Sequence, residues 1–74
     1  MFNINGIEWL VIWVPATHPK LKTRNGTFAF GSCDNSTHTI YLSSSIPKHK
    51  IKKVLSHEIT HAAMFSYNVY MTVD

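Results

Sequence analysis

Apolar and aromatic residues fill both alternating faces of the run Ile7–Val14, and Pro15 closes it. Branched and aromatic side chains in that arrangement predict a strand in the interior of a sheet. The next stretch, residues 15–26, carries Pro15, Pro19, Asn25 and Gly26 with lysines between them, which predicts a loop ending in an Asn-Gly turn. A second strand is expected over 27–31, with Phe28 and Phe30 on one face. Gly31-Ser32-Cys33-Asp34-Asn35-Ser36 then reads as a turn. Thr37–Leu42 alternates His38, Ile40 and Leu42 against Thr39 and Tyr41, so a third strand closes a hairpin with the second.

Beyond Leu42 the period changes. Ser43-Ser44-Ser45 offers helix N-caps, Pro47 suits a first helical turn, and no Gly or Pro interrupts the chain from there to Tyr67. A helix is expected over about 46–66. At about 100° per residue, Ile51, Leu55, Ile59 and Ala62 form an apolar stripe that should pack on the sheet, while Lys48, Lys52 and Lys53 take the wet side. His57 and His61 form a stripe beside the apolar one, placed to look into a cleft. The expected fold is α+β: one domain over 1–74, with a short antiparallel or mixed three-stranded sheet packed on one long helix.

The helix carries the chemistry. His57-Glu58-Ile59-Thr60-His61 reads H-E-x-x-H, and residues four apart on a helix share a face, so both imidazoles can reach one zinc ion. Glu58 sits beside such a metal rather than on it, where a carboxylate can take a proton from an attacking water. Zinc hydrolases use three protein ligands, and no glutamate follows His61. Asp74, the only later carboxylate, is the candidate third ligand, against the plainer reading of a solvated terminus. His18, Cys33, Asp34, His38 and His49 are the other donors. Of these, His38 is expected to face into the fold, His49 to face solvent, and Cys33 to be a small buried thiol.

Size and charge adjust this picture modestly. Seventy-four residues bury a small core, and one cysteine excludes a disulfide staple, which leaves a bound metal as the available staple. The net charge of +3 comes largely from Lys48, Lys50, Lys52 and Lys53, with Lys20, Lys22 and Arg24 as a second group. Without interleaved aromatics the lysines read as a solvated face, not a nucleic-acid interface. The apolar run Trp9–Val14 is too short to cross a bilayer and lacks the flanks of a signal peptide. A cytoplasmic location is the expectation.

With these residues in view, the chain resembles the small zincin-like proteins of the ImmA/IrrE type, found in phages and mobile elements. Three stretches carry the resemblance: Ile4-Asn5-Gly6-Ile7-Glu8-Trp9, then Gly31-Ser32-Cys33-Asp34 with Thr39-Ile40-Tyr41-Leu42, and Val54-Leu55-Ser56-His57-Glu58-Ile59-Thr60-His61-Ala62. The resemblance implies a twisted sheet on a metal helix, with the strand at Thr37–Leu42 as the edge bordering the cleft and pairing with an extended peptide. It implies His57 and His61 as zinc ligands and Glu58 as catalytic base. A protein substrate such as a helix-turn-helix repressor is implied too. The alternative is a non-catalytic module that binds such a partner. Family members continue into a further helix bearing a glutamate ligand. Its absence here should leave Ala63, Met64 and Phe65 exposed and favour self-association into a homo-oligomer.

Overall fold

A computed structural model describes residues 1–67. They form an α+β fold with a four-stranded mixed sheet and one α-helix. The strands are β1 (Phe2–Ile4), β2 (Ile7–Val14), β3 (Gly31–Asp34) and β4 (Thr39–Ser43), arranged β1-β2-β4-β3. Short 3₁₀ turns occupy Pro19–Leu21 and Lys48–Lys50, and the second leads into helix α1 (Ile51–Ser66).

Strand β2 has the bounds that its apolar run predicts. The strand before it was not anticipated. Asn5 and Gly6 both take positive φ, 52° and 81°, so the two-residue loop is a left-handed turn whose twist matches paired strands. Ile4 then pairs with Ile7 and Phe2 with Trp9. This added hairpin makes the sheet four-stranded rather than three-stranded.

The expected strand over 27–31 is not formed. Phe28 and Phe30 alternate, but both stand exposed on a loop whose ladder is limited to an isolated bridge from Phe28 to Lys22, with the Phe30 carbonyl accepting from Ser43 N–H at the end of β4. Instead the strand is Gly31–Asp34, the stretch that reads locally as a turn, and the true turn is 35–38. There Asp34 accepts hydrogen bonds from the Ser36 backbone N–H and hydroxyl at 2.9 and 2.6 Å, and His38 takes a φ of 49°. The Thr37–Leu42 strand is therefore shifted to Thr39–Ser43. It is also not an edge: β4 pairs parallel with β2 on one side and antiparallel with β3 on the other. The edge beside the helix is β3.

Register fixes what each face carries. Trp9, Val11, Ile40, Leu42, Gly31 and Cys33 share the face toward α1, because paired residues project to the same side. Trp9, Ile40, Leu42, Ile46 and Ala62 form the buried core. On the opposite face Lys20 pairs with Asp34 at 2.9 Å, and His18 stacks on Tyr41.

The helix begins at Ile51, later than about 46, since Pro47 is extended (ψ 137°) and Lys48–Lys50 form a tighter turn. Its buried line runs through Glu58, Ala62 and Ser66, with Ile51, Val54, Leu55 and Phe65 packed against the core. Ile59, expected on the packing stripe, is 37% exposed. The inner face is thus rotated toward Glu58. Ala63, Met64 and Phe65 are each half-buried rather than exposed. Among the described residues no helix is long and apolar enough to cross a membrane.

Candidate metal centre

His57 and His61 lie one helical turn apart, and their Nε2 atoms approach to 3.1 Å with the rings at 78°. Two imidazoles on a tetrahedral zinc, each with a bond of about 2.0–2.1 Å, put their nitrogens roughly 3.3 Å apart. The pair therefore stands within a few tenths of an ångström of the separation that a shared zinc requires. His57 is exposed and His61 half-buried, so the pair is open to solvent on one side.

Glu58 projects about 100° round the helix from His57, onto the buried face. It is 7% exposed. Burial pushes its carboxyl pKa above the ordinary value of 4.5, while the neighbouring His61 and His57 pull it back. A carboxylate held this way is a stronger base than one in water, and it stands beside the two imidazoles without sharing their face.

What lets Glu58 sit there is Gly31, at the start of β3. A Cβ built on Gly31 would lie 3.0 Å from Glu58 Cγ, 3.0 Å from Val54 Cγ1 and 3.2 Å from Glu58 Oε2. The need here is space, not an unusual backbone angle. A glycine inside a strand often marks a close approach of this kind, and that is the available signal for a residue that the sequence pattern puts at the junction of a strand and a turn. Gly31→Ala is expected to lose about 1–3 kcal/mol of stability, as overpacked methyls do, and to displace Glu58. Denaturant melts would register the first effect and loss of any Glu58-dependent activity the second. An unchanged melt would show that strand and helix can part there at no cost.

Glu58 and His57 line a cleft of about 570 Å³, with Val54 and Lys53 along the helix, Lys50 in the turn before it, and Ala29, Phe30 and Gly31 opposite. That volume is within the range of ligand sites. The sequence pattern does not mark Lys50, Lys53, Ala29 or Phe30 as part of a site. Their placement depends on the loop before β3 folding against the start of the helix.

The remaining donors lie elsewhere. Asp34 projects to the opposite face of the sheet, where Ser36 and the Lys20 ammonium hold its carboxyl well below the usual carboxylate range. His18 is on that same face, accepting at Nδ1 from the Lys20 backbone N–H. His38 packs its ring 5.1 Å from that of Trp9, and His49 is exposed in the 3₁₀ turn. Cys33 shares the helix-facing side of β3, and burial, then the charges of Glu58 and Asp34, push its thiol up to about 12. It is a protonated thiol at neutral pH rather than a reactive thiolate. Among the described residues no three His, Cys, Asp or Glu side chains are grouped to hold a metal. Asp74 lies outside the described residues.

No family model, curated protein or solved structure matches this chain.

Proposed function

We propose that this chain is a minimal zincin-like metallopeptidase, similar to the ImmA/IrrE type, that hydrolyses a peptide bond in a protein substrate. One observation carries the reading: two Nε2 atoms 3.1 Å apart on the helix that buries Glu58 in the wall of the same cleft. His57 and His61 would hold the zinc, with Asp74 the proposed third ligand. When bound, the metal would supply Lewis acidity, polarising the scissile carbonyl and acidifying a water.

The chain's own part is positional. Glu58 takes the proton of the attacking water as it adds to the carbonyl carbon, then gives it to the nitrogen of the leaving amine. Burial raises its proton affinity, which favours the first transfer. Among the described residues the outer side of β3 is an open sheet edge beside the cleft, so an extended peptide can add there as a fifth strand. That takes over the role first assigned to Thr37–Leu42. A lone cysteine supports a reducing, cytoplasmic setting, in which a repressor of the helix-turn-helix type is a fitting substrate. The exposed β3 edge equally suits a non-catalytic module that binds such a partner, and Glu58 separates the two readings, since binding alone has no use for a base there.

Two measurements test the proposal. Protein purified without added zinc should contain about one zinc per chain by elemental analysis. Returning zinc at about 100 times its Kd to chelated protein should add about 2.7 kcal/mol, a rise in Tm of about 10–20 °C for a domain of this size. His57→Ala should abolish that rise. The zinc-loaded protein should also generate new termini in a mixture of unstructured peptides, read by mass spectrometry. Stoichiometric zinc without cleavage would transfer the reading to the binding module.

A further inference from the structure

Lys50 and Lys53 line the same cleft as His57 and Glu58, although the sequence pattern puts Lys53 on the wet side of the helix and counts Lys50 only in the net positive charge. Their spacing explains this. Lys53 and His57 are four apart and share one face of α1, and Lys50, the last residue of the 3₁₀ turn that leads into the helix, precedes them at the same cleft. With a rise of about 1.5 Å per residue, Lys53 stands about 6 Å and Lys50 about 10 Å from His57 along the axis. An extended peptide advances about 3.3 Å per residue. The two lysine positions thus stand level with residues about two and three positions from the bond held at the histidines.

The charges at this end of the helix are locally unfavourable. Lys48, His49, Lys50, Lys52 and Lys53 crowd the N-terminal end of α1, no acidic residue occupies its first turn, and no side chain among the described residues caps it. The positive end of the helix dipole prefers anions, so lysines there cost stability. Departures from local preference of this sort collect at functional sites. An anionic side chain in the cleft would answer both the lysines and the helix end. The opposite wall, Ala29 and Phe30 leading into β3, is apolar and continuous with the strand edge, which fits a polypeptide rather than a small anion.

We infer that the cleft selects acidic peptides, with Lys50 and Lys53 recognising aspartate or glutamate side chains two to three residues from the scissile bond. The inference rests on the proposed peptidase reading for its register, but binding can be measured without turnover. Glu58→Gln protein, zinc-loaded, would be titrated by fluorescence anisotropy with matched, C-terminally amidated peptides. One would carry two glutamates, one two glutamines and one two lysines at the paired positions. A fourth, the glutamine peptide with a free C-terminus, would report on a terminal carboxylate, and a short single-stranded oligonucleotide on general affinity for polyanions.

The glutamate peptide should bind about 3- to 10-fold more tightly than the glutamine peptide, the scale of two solvent-accessible ion pairs. That preference should collapse between about 0.1 and 1 M salt as the screening length falls from about 10 to 3 Å. In the Lys50→Glu/Lys53→Glu variant, whose new carboxylates suit the helix N-terminus and so support folding, the preference should invert toward the lysine peptide. Lys22→Glu, outside the cleft, should leave it unchanged. Equal affinities for the glutamate and glutamine peptides, or no binding of either, would overturn the inference even if wild-type protein cleaves peptides. So would tighter binding of the free-terminus peptide or of the oligonucleotide. Absence of cleavage by the wild type, with the acidic preference intact, would count against the peptidase reading alone.

Discussion

Glu58→Gln is expected to lower peptide hydrolysis by about 10²–10⁴-fold, the usual contribution of a positioned general base, while zinc content stays unchanged. Glutamine keeps the shape of the side chain against Gly31 and Val54 but cannot accept the proton of the attacking water. Turnover and elemental analysis on the same preparation separate the two effects. Hydrolysis that survives would remove Glu58 from the mechanism, whereas loss of zinc would show that the carboxylate holds the site together.

The same substitution has an opposite effect on the stability of the metal-free protein. Burial raises the carboxyl pKa of Glu58 above 4.5 in the folded state, so folding disfavours the ionised form. Below the unfolded value both states are protonated and nothing is lost. As pH rises through that value the unfolded chain ionises first, and stability falls until the pH passes the raised folded value, after which the deficit is constant. Glutamine has no such deficit. Melts of chelated protein should therefore show the variant more stable than the wild type at neutral pH, with the gap closing below about pH 4. A wild type that is the more stable at neutral pH would mean that the folded protein favours the carboxylate, against the burial argument.

The parts of the fold legible in the sequence are those governed by local chemistry. Ile7–Val14 is a strand because its branched and aromatic residues suit a sheet wherever it forms, and the helix ends near Ser66 as its pattern requires. The four-residue spacing of His57 and His61 determines their convergence before any packing is known. What misled was packing at a distance. Gly31–Asp34 is composed like a turn and becomes a strand because β4 offers a partner and Glu58 needs a glycine opposite it. Strand preference of that kind belongs to the context rather than to the residues.

Conversely, Phe28 and Phe30 alternate like a strand, yet the ladder with β4 stops one bond short of a strand there, with only the Phe30 carbonyl accepting from Ser43 N–H among the described residues. On the helix, the stripe drawn through Ile59 assumed that the apolar residues define the inside. The chain instead turns Glu58 inward and leaves Ile59 partly wet. Counting Val54 and Phe65 into the stripe would have centred it nearer Glu58 (about 60° from the line through Ile59). The β1 hairpin was legible in Asn5-Gly6, a pair suited to the left-handed turn it makes, but its three-residue strand is too short to give a period.

Trp9→Ala is expected to leave the domain largely unfolded at physiological temperature. Trp9 is 0% exposed and lies between the β1 hairpin and the helix. Its indole N–H donates to Ser66 Oγ at 2.8 Å, joining β2 to the last turn of α1 across 57 residues of sequence. Removing a buried tryptophan costs about 3–5 kcal/mol, and a domain of this length holds about 4–11 kcal/mol in all. Ser66, itself buried, would also lose the donor to its hydroxyl. Trp9→Phe retains an aromatic ring and gives up the hydrogen bond, so it should cost less, enough to lower Tm but not to unfold the chain. Urea titration followed by circular dichroism would rank the three proteins. If Trp9→Ala stayed folded with a near-native midpoint, the core would have to be centred away from the contact between β2 and the helix end. The helix that carries His57, Glu58 and His61 would then be held mainly by β3, through the close approach at Gly31.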